Sequence, residues 1–305
     1  MNHSGRSPAC TKRGCGASRR LRGTALVPRL TTMRAWVNGR LLDGLGQAAL
    51  GVDDHGFTVG DGVFEALKVV HGTPFALRRH LERLERSAAG LGLPAPERGT
   101  IHEALRAVLE GQDLPLGRVR ITWTAGPAPL GSGRGEGPAT LAVVAGPATP
   151  WEATTAVITV PWPRNERSAV VGLKTTSYAE NVVALAAAHR AAASEALMPN
   201  TAGALCEGTG SNVFYVVDGE LRTPTLASGC LAGVTRDLVL AWYGGTEVDE
   251  PISVLADAEE VFLTSSTRDI HPVHRVDERD LVAPGPVTRA VMAVWEARSA
   301  EQVDP

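Results

Sequence analysis

The chain reads as two α/β domains built on mixed, largely antiparallel sheets, and three observations point there. Strand-like runs come in pairs joined by tight glycine turns, as in antiparallel hairpins. Long segments with apolar residues at helical spacing lie between those pairs. The third is size: 305 residues with 44% hydrophobic content can bury more than one core.

The elements follow in order. Residues 1–32 carry seven Arg or Lys, no acid and no apolar periodicity. They lack the continuous apolar segment of a secretory signal, though an organellar transit peptide has such a composition. We expect a disordered basic leader, or an untranslated stretch upstream of a functional start at Met33. WVNGRLL and VVHGTPFAL then read as hairpins. Leu77, Leu81, Leu84, Ala88 and Leu91 mark one amphipathic helix, and Ile101–Leu109 repeats the pattern. RVRITWTAG and TLAVVAG are strands flanking the glycine-rich loop GPAPLGSGRGEGP. GPATPWEA punctuates the chain near residue 150, so we expect a smaller domain over 33–150 and a larger one over 151–305. In the second come strand AVITVPW, the hairpin NVFYVVDGELRTP, helix TRDLVLAWY, strand EEVFLTSS and a helix from Pro286 to Glu301.

Several functions are disfavoured at once. Without the leader, 23 basic face 33 acidic residues, a net charge of −10 that offers nucleic acid no electrostatic footprint. No apolar run nears the ~18 residues needed to cross a bilayer, so no membrane association is expected. Of four cysteines, Cys10 and Cys15 lie in the leader, and Cys206 and Cys230 have no metal-ligand spacing. A reduced, cytoplasmic protein without a metal is expected.

One stretch breaks the pattern. In GLKTTSYAENVVALAAAHRAAASEALM, Lys174 ends the apolar run AVVGL, read as a buried strand, just before a long alanine-rich helix. A desolvated lysine has a lowered pKa and more free amine to attack a carbonyl. Taken alone, a lysine reaching from a strand end to water is the commoner case. A Schiff-base cofactor such as pyridoxal phosphate (PLP) asks for more: a carboxylate for its pyridine nitrogen and an anion site for its phosphate. Glu207, heading a glycine-rich turn, supplies a carboxylate, or merely caps that turn. The helix start at Gly233, Val234 and Thr235 supplies open N–H groups and a hydroxyl, or an ordinary threonine cap.

GDGVFE (60–65), HLERL (80–84), the lysine segment, CEGTGSNVF (206–214), LAGVTR (231–236) and FLTSSTRDIHPV (262–273) together resemble the class IV, or fold-type IV, PLP enzymes. That family holds branched-chain and D-amino-acid aminotransferases and 4-amino-4-deoxychorismate lyases. The resemblance implies a two-domain fold with PLP in the interdomain cleft, and a homodimer acting on a small-molecule substrate. It implies Lys174 as Schiff-base lysine and acid/base, and Glu207 as partner of the pyridine nitrogen. Arg83, Val234, Thr235 and Ser266 would hold the phosphate, and Tyr178 would stand by the phenolic oxygen. Without the resemblance, Arg83 reads as an exposed charge on an amphipathic helix. LKTTSYAENVVALA with TSSTRDIHPV, including Arg268, is more similar to the lyases, which form 4-aminobenzoate and pyruvate for folate biosynthesis. The alternative is an aminotransferase acting on branched-chain or D-amino acids with 2-oxoglutarate. Arg120 and Arg134 lie where the family faces its cleft and are candidates for a substrate carboxylate, or else are solvent-exposed. His271 is a candidate donor, or a loop histidine.

Overall fold

A computed structural model describes Met1, residues 33–42 and residues 46–305; the expected leader over 1–32 lies outside the described residues, apart from Met1. The first half forms one antiparallel sheet. Asn38 and Gly39, both at positive φ, turn β1 (Arg34–Val37) into β2 (Arg40–Leu42), and His71 and Gly72 do the same between β3 (Gly62–Val70) and β4 (Thr73–Pro74). With β5 (Leu116–Thr124) and β6 (Thr140–Pro147) the order is β2-β1-β6-β5-β3-β4.

Alternation decides its faces. Along β5, Val119 and Ile121 are buried while Arg118 and Arg120 are exposed. Val63, Leu67 and Val69 of β3 join the buried set, packing with Leu81, Leu84 and Ala88 of α2 (Leu77–Leu91) and Ile101, Leu105 and Val108 of α3 (Arg98–Leu109). The opposite face carries Phe64, Ala66, Lys68, Arg118 and Arg120, since successive side chains of a strand point to opposite sides. A short α1 (His55–Thr58), capped by Asp54, leads into β3.

The second half forms a nine-stranded sheet of β7 (Thr155–Thr159), β8 (Glu195–Pro199), β9 (Leu205–Gly208), β10 (Asn212–Val217), β11 (Glu220–Thr223), β12 (Thr246–Glu247), β13 (Glu260–Ser265), β14 (Asp269–Val276) and β15 (Arg279–Asp280). The pairs β11–β12, β14–β7 and β7–β8 are parallel and the rest antiparallel. One side packs Phe214 and Phe262 with Leu238 of α5 (Val234–Trp242) and Trp295 of α6 (Pro286–Glu301). The other buries Val213, Tyr215, Leu263 and Val273. Among the described residues, no helix is long and apolar enough to cross a membrane.

One expected strand is absent. The run AVVGL before Lys174 is a series of turns, with Val171 N–H on Ser168 O at 3.1 Å and Leu173 N–H on Val170 O at 3.2 Å. Two causes are visible. Gly172 has φ +72°, a left-handed conformation foreign to strands. Among the described residues no strand pairs with this run, and Val170 and Val171 stay exposed. Leu173 instead packs on α2, where a Cβ at Gly90 would sit 2.6 Å from Leu173 Cδ2.

Candidate active site

The segment after those turns crosses between the two sheets. Lys174 N–H donates to Ser87 Oγ of α2 at 3.2 Å, and Phe64 N–H to Lys174 O at 3.0 Å. Thr176 N–H donates to Gly62 O at 2.8 Å. Its backbone so pinned, Lys174 is half-buried on the wall of a cleft of about 290 Å³, which Glu207, Tyr178, Thr235 and Ser266 also line. Lys174 Nζ lies 4.6 Å from the Phe64 ring centroid and 6.0 Å from that of Tyr178. Burial, reinforced by the Arg83 charge, lowers its pKa from 10.5 to about 8. Tyr178, at the start of α4 (Ala179–Arg190), meets Phe64 edge-on at 5.3 Å; burial raises its hydroxyl to about 12.

Glu207 ends β9 and is buried. Its Oε2 accepts from Leu231 N–H at 2.9 Å, and its Oε1 lies 3.1 Å from Arg164 Nε. Burial raises its pKa; Arg164, the Leu231 N–H and Lys174 oppose that rise. The N-cap of α5 (Val234–Trp242), Gly233, offers no side-chain cap, and the first helical residues Val234 and Thr235, whose N–H groups lack intrahelical partners, line the cleft.

Arg83 is not the exposed helix charge that its sequence pattern alone suggests. It is buried, donating from Nε and Nη2 to Glu65 at 2.7 and 2.6 Å and from Nη1 to Ala232 O at 3.0 Å. His80 Nδ1 shares the same carboxylate at 2.6 Å, while its Nε2 meets Ser266 Oγ at 3.0 Å. Burial would raise the pKa of Glu65, but Arg83 and His80 outweigh it and bring it to about 2. Two walls of the cleft, from different sheets, are thereby joined through one carboxylate.

Lys174, Arg83, Tyr178, Glu207, Val234, Thr235 and Ser266 thus converge on one cleft. Arg120 stands one ring away, its guanidinium 3.7 Å from the Phe64 centroid and its Nε on Thr122 Oγ1 at 3.1 Å. Arg134 is not brought to them. It grips Asp61 through two bonds of 2.7 Å and donates to Leu91 O and Gly92 O at the end of α2. Arg268 and His271 brace the linker between the sheets. Arg268 lies 3.7 Å over Trp151 and donates to Ser194 O at 2.8 Å, while His271 Nε2 meets Glu152 O at 2.9 Å.

Sequence reasoning left Glu65, His80 and Arg164 without roles. The first two sit inside the quoted blocks GDGVFE and HLERL; Arg164, in a loop after β7, has no periodic signal. Among the described residues, no group of three His, Cys, Asp or Glu side chains could hold a metal.

The cleft fits PLP on its own chemistry. It offers an amine of lowered pKa, a buried carboxylate, and a cluster of anion donors at the start of α5. Thr264 Oγ1, buried in the lining, has no hydrogen-bond partner among the described residues.

Comparison with known proteins agrees. The model of the class IV amino-transferase family matches residues 62–276. A Methanocaldococcus jannaschii protein, provisionally named a branched-chain-amino-acid aminotransferase, is 35% identical over 259 residues, covering 81% of this chain and 89% of its own. The Bacillus subtilis aminodeoxychorismate lyase is 31% identical over 256 residues, covering 80% and 86%. A branched-chain aminotransferase of Thermoproteus uzoniensis, solved with norvaline, superposes with a TM-score of 0.79 at 28% identity over 87% of this chain and 94% of that one. The chain therefore belongs to the class IV aminotransferase family of PLP-dependent enzymes, with their fold-type IV architecture.

Proposed function

We propose that the protein is a 4-amino-4-deoxychorismate lyase, releasing 4-aminobenzoate and pyruvate. The observation that carries this reading is Arg120: a guanidinium held against Phe64 beside Lys174, with no carboxylate partner among the described residues. Such a cation suits a substrate that presents a carboxylate away from its reacting amine. The Bacillus subtilis lyase among the relatives supports the same reading.

PLP, when bound, supplies an aldehyde that takes up amines and a ring that withdraws electrons. Lys174 holds it, then as a free amine removes the proton from the substrate carbon that bears nitrogen. Glu207 would face the pyridine nitrogen, and the Arg164 charge beside it opposes the rise in pKa that burial imposes. Arg83, the Val234 and Thr235 N–H groups, and the Thr235 and Ser266 hydroxyls would hold the phosphate. Tyr178 would stand by the phenolic oxygen, and Arg120 would take a substrate carboxylate. As the proton leaves, the neighbouring ring C–O bond breaks. The departing enolpyruvate gains a proton and becomes pyruvate, and the ring becomes aromatic. Atoms balance without an acceptor.

A second reading, an aminotransferase on branched-chain or D-amino acids with 2-oxoglutarate, is favoured by the 35% identity to the Methanocaldococcus jannaschii protein. The two diverge in one assay. Holoenzyme given 4-amino-4-deoxychorismate and no keto acid should make pyruvate and 4-aminobenzoate over many turnovers. No product from it, together with brisk turnover of leucine or D-alanine with 2-oxoglutarate, replaces the lyase by the aminotransferase.

The protein acts as a homodimer in the cytoplasm on this reading. Exposed Val52, Phe57 and Leu130 offer apolar surface for a second copy, and the buried free thiols of Cys206 and Cys230 suit a reducing compartment.

A further inference from the structure

A second groove, of about 600 Å³, runs along the exposed face of β5 between Arg118, Arg120, Val144 and the linker residues Pro150, Trp151 and Glu152. Three features give it a chemistry. Arg118 and Arg120 are two residues apart on one strand, so both point to the same side, roughly 7 Å apart along it. Among the described residues neither meets a carboxylate: Arg120 touches Thr122 and Phe64, and Arg118 forms no ion pair. Arg268, held on Trp151, adds a third positive charge nearby and feels the Arg118 charge. The Trp151 indole, 41% exposed, gives the groove an aromatic edge. The acid in the lining, Glu152, forms no ion pair among the described residues.

Cations left without partners beside apolar walls call for an anion that carries a flat or cyclic body. Arg120 of the groove is separated from Lys174 of the cleft by the Phe64 ring, which its guanidinium covers and which Lys174 Nζ also faces. A substrate held at Lys174 with one carboxylate on Arg120 would therefore extend along β5 toward Arg118.

We propose that this groove seats a second carboxylate of the substrate, and that Arg118 is the residue selecting cyclic dicarboxylates over monocarboxylates. The inference rests on the reading that Lys174 and Arg120 frame the reacting centre. It goes further by assigning the distal charge to a residue of β5 that the cleft itself does not contain.

Calorimetric titration of the holoenzyme with isophthalate and with benzoate, at fixed ionic strength, tests it without any turnover. Isophthalate should bind about tenfold tighter than benzoate, one added charge-assisted contact being worth that much. Arg118→Gln should erase the difference and leave benzoate unchanged, Arg118→Lys should restore part of it, and Arg120→Gln should weaken both ligands. Arg118 is exposed on a strand whose other face makes the core, so the fold withstands these changes. Equal affinity for the two ligands, or a preference that survives Arg118→Gln, overturns the proposal. Acceptor-free turnover of 4-amino-4-deoxychorismate, measured on the same samples, separates the two claims. Isophthalate preference without that turnover keeps the groove and discards the lyase, whereas turnover without preference does the opposite.

Discussion

The lowered pKa of Lys174 has a consequence that can be followed in the cofactor-free protein. At about pH 7.5 an amine of pKa about 8 is neutral in roughly one molecule in four, against about one in a thousand at 10.5. Capture of PLP needs the neutral amine, so its rate should rise about tenfold per pH unit below 8 and level off above it. Stopped-flow growth of the visible absorption band, from pH 6 to 10, measures this directly. Borohydride should then fix the cofactor on the Lys174 peptide.

Stability reports the same property independently. The folded-state pKa lies below the unfolded one, so the penalty for burying the ammonium is full below about pH 8. It fades as pH rises toward 10.5, and cofactor-free stability climbs across that window. The gap corresponds to roughly 3 kcal/mol, which water in the open cleft reduces to about 1–2 kcal/mol. Lys174→Met should raise the stability of the cofactor-free protein by that amount at neutral pH and flatten its climb. A capture rate still rising near pH 10, or a Met variant that loses stability, would refute the reasoning.

Two further outcomes follow from the geometry. Glu207→Gln should keep PLP bound but slow turnover about a hundredfold, because the phosphate donors remain while the charge facing the pyridine nitrogen is lost; visible absorption and initial rates check both halves. Arg83→Ala should weaken cofactor retention on dialysis and cost about 3–5 kcal/mol in urea denaturation, since it strands the buried Glu65 carboxylate. Adding Glu65→Gln should recover part of that stability but not the cofactor.

Much of the fold was legible because it rests on local signals. Alternation gave β5, the turn residues Asn38–Gly39 and His71–Gly72 gave the hairpins, and the proline at position 286 marks the first residue of α6. The AVVGL run misled because apolar content alone does not distinguish a strand from turns without a pairing partner. The site was less legible. A single cation such as Arg83 has the same local pattern whether it faces water or a buried carboxylate 18 residues away, and only the family resemblance separated the two. Arg134, read as a possible substrate ligand, finds its acid in Asp61, 73 residues back in the chain. Arg164 escaped altogether, because its pairing with Glu207 is visible only once β7 and β9 are in place.

The Ser266–His80–Glu65–Arg83 chain also bears on how such a site can change over generations. Each member satisfies its neighbour, and Glu65, His80 and Arg83 are buried, so replacing one of these three alone leaves a charge or a lone pair stranded. The accessible routes are paired exchanges, such as loss of the arginine together with neutralisation of the carboxylate. Related sequences should therefore vary little at positions 65, 80 and 83, or vary there in concert. Arg118, whose neighbours make no such demands, is free to drift with the substrate.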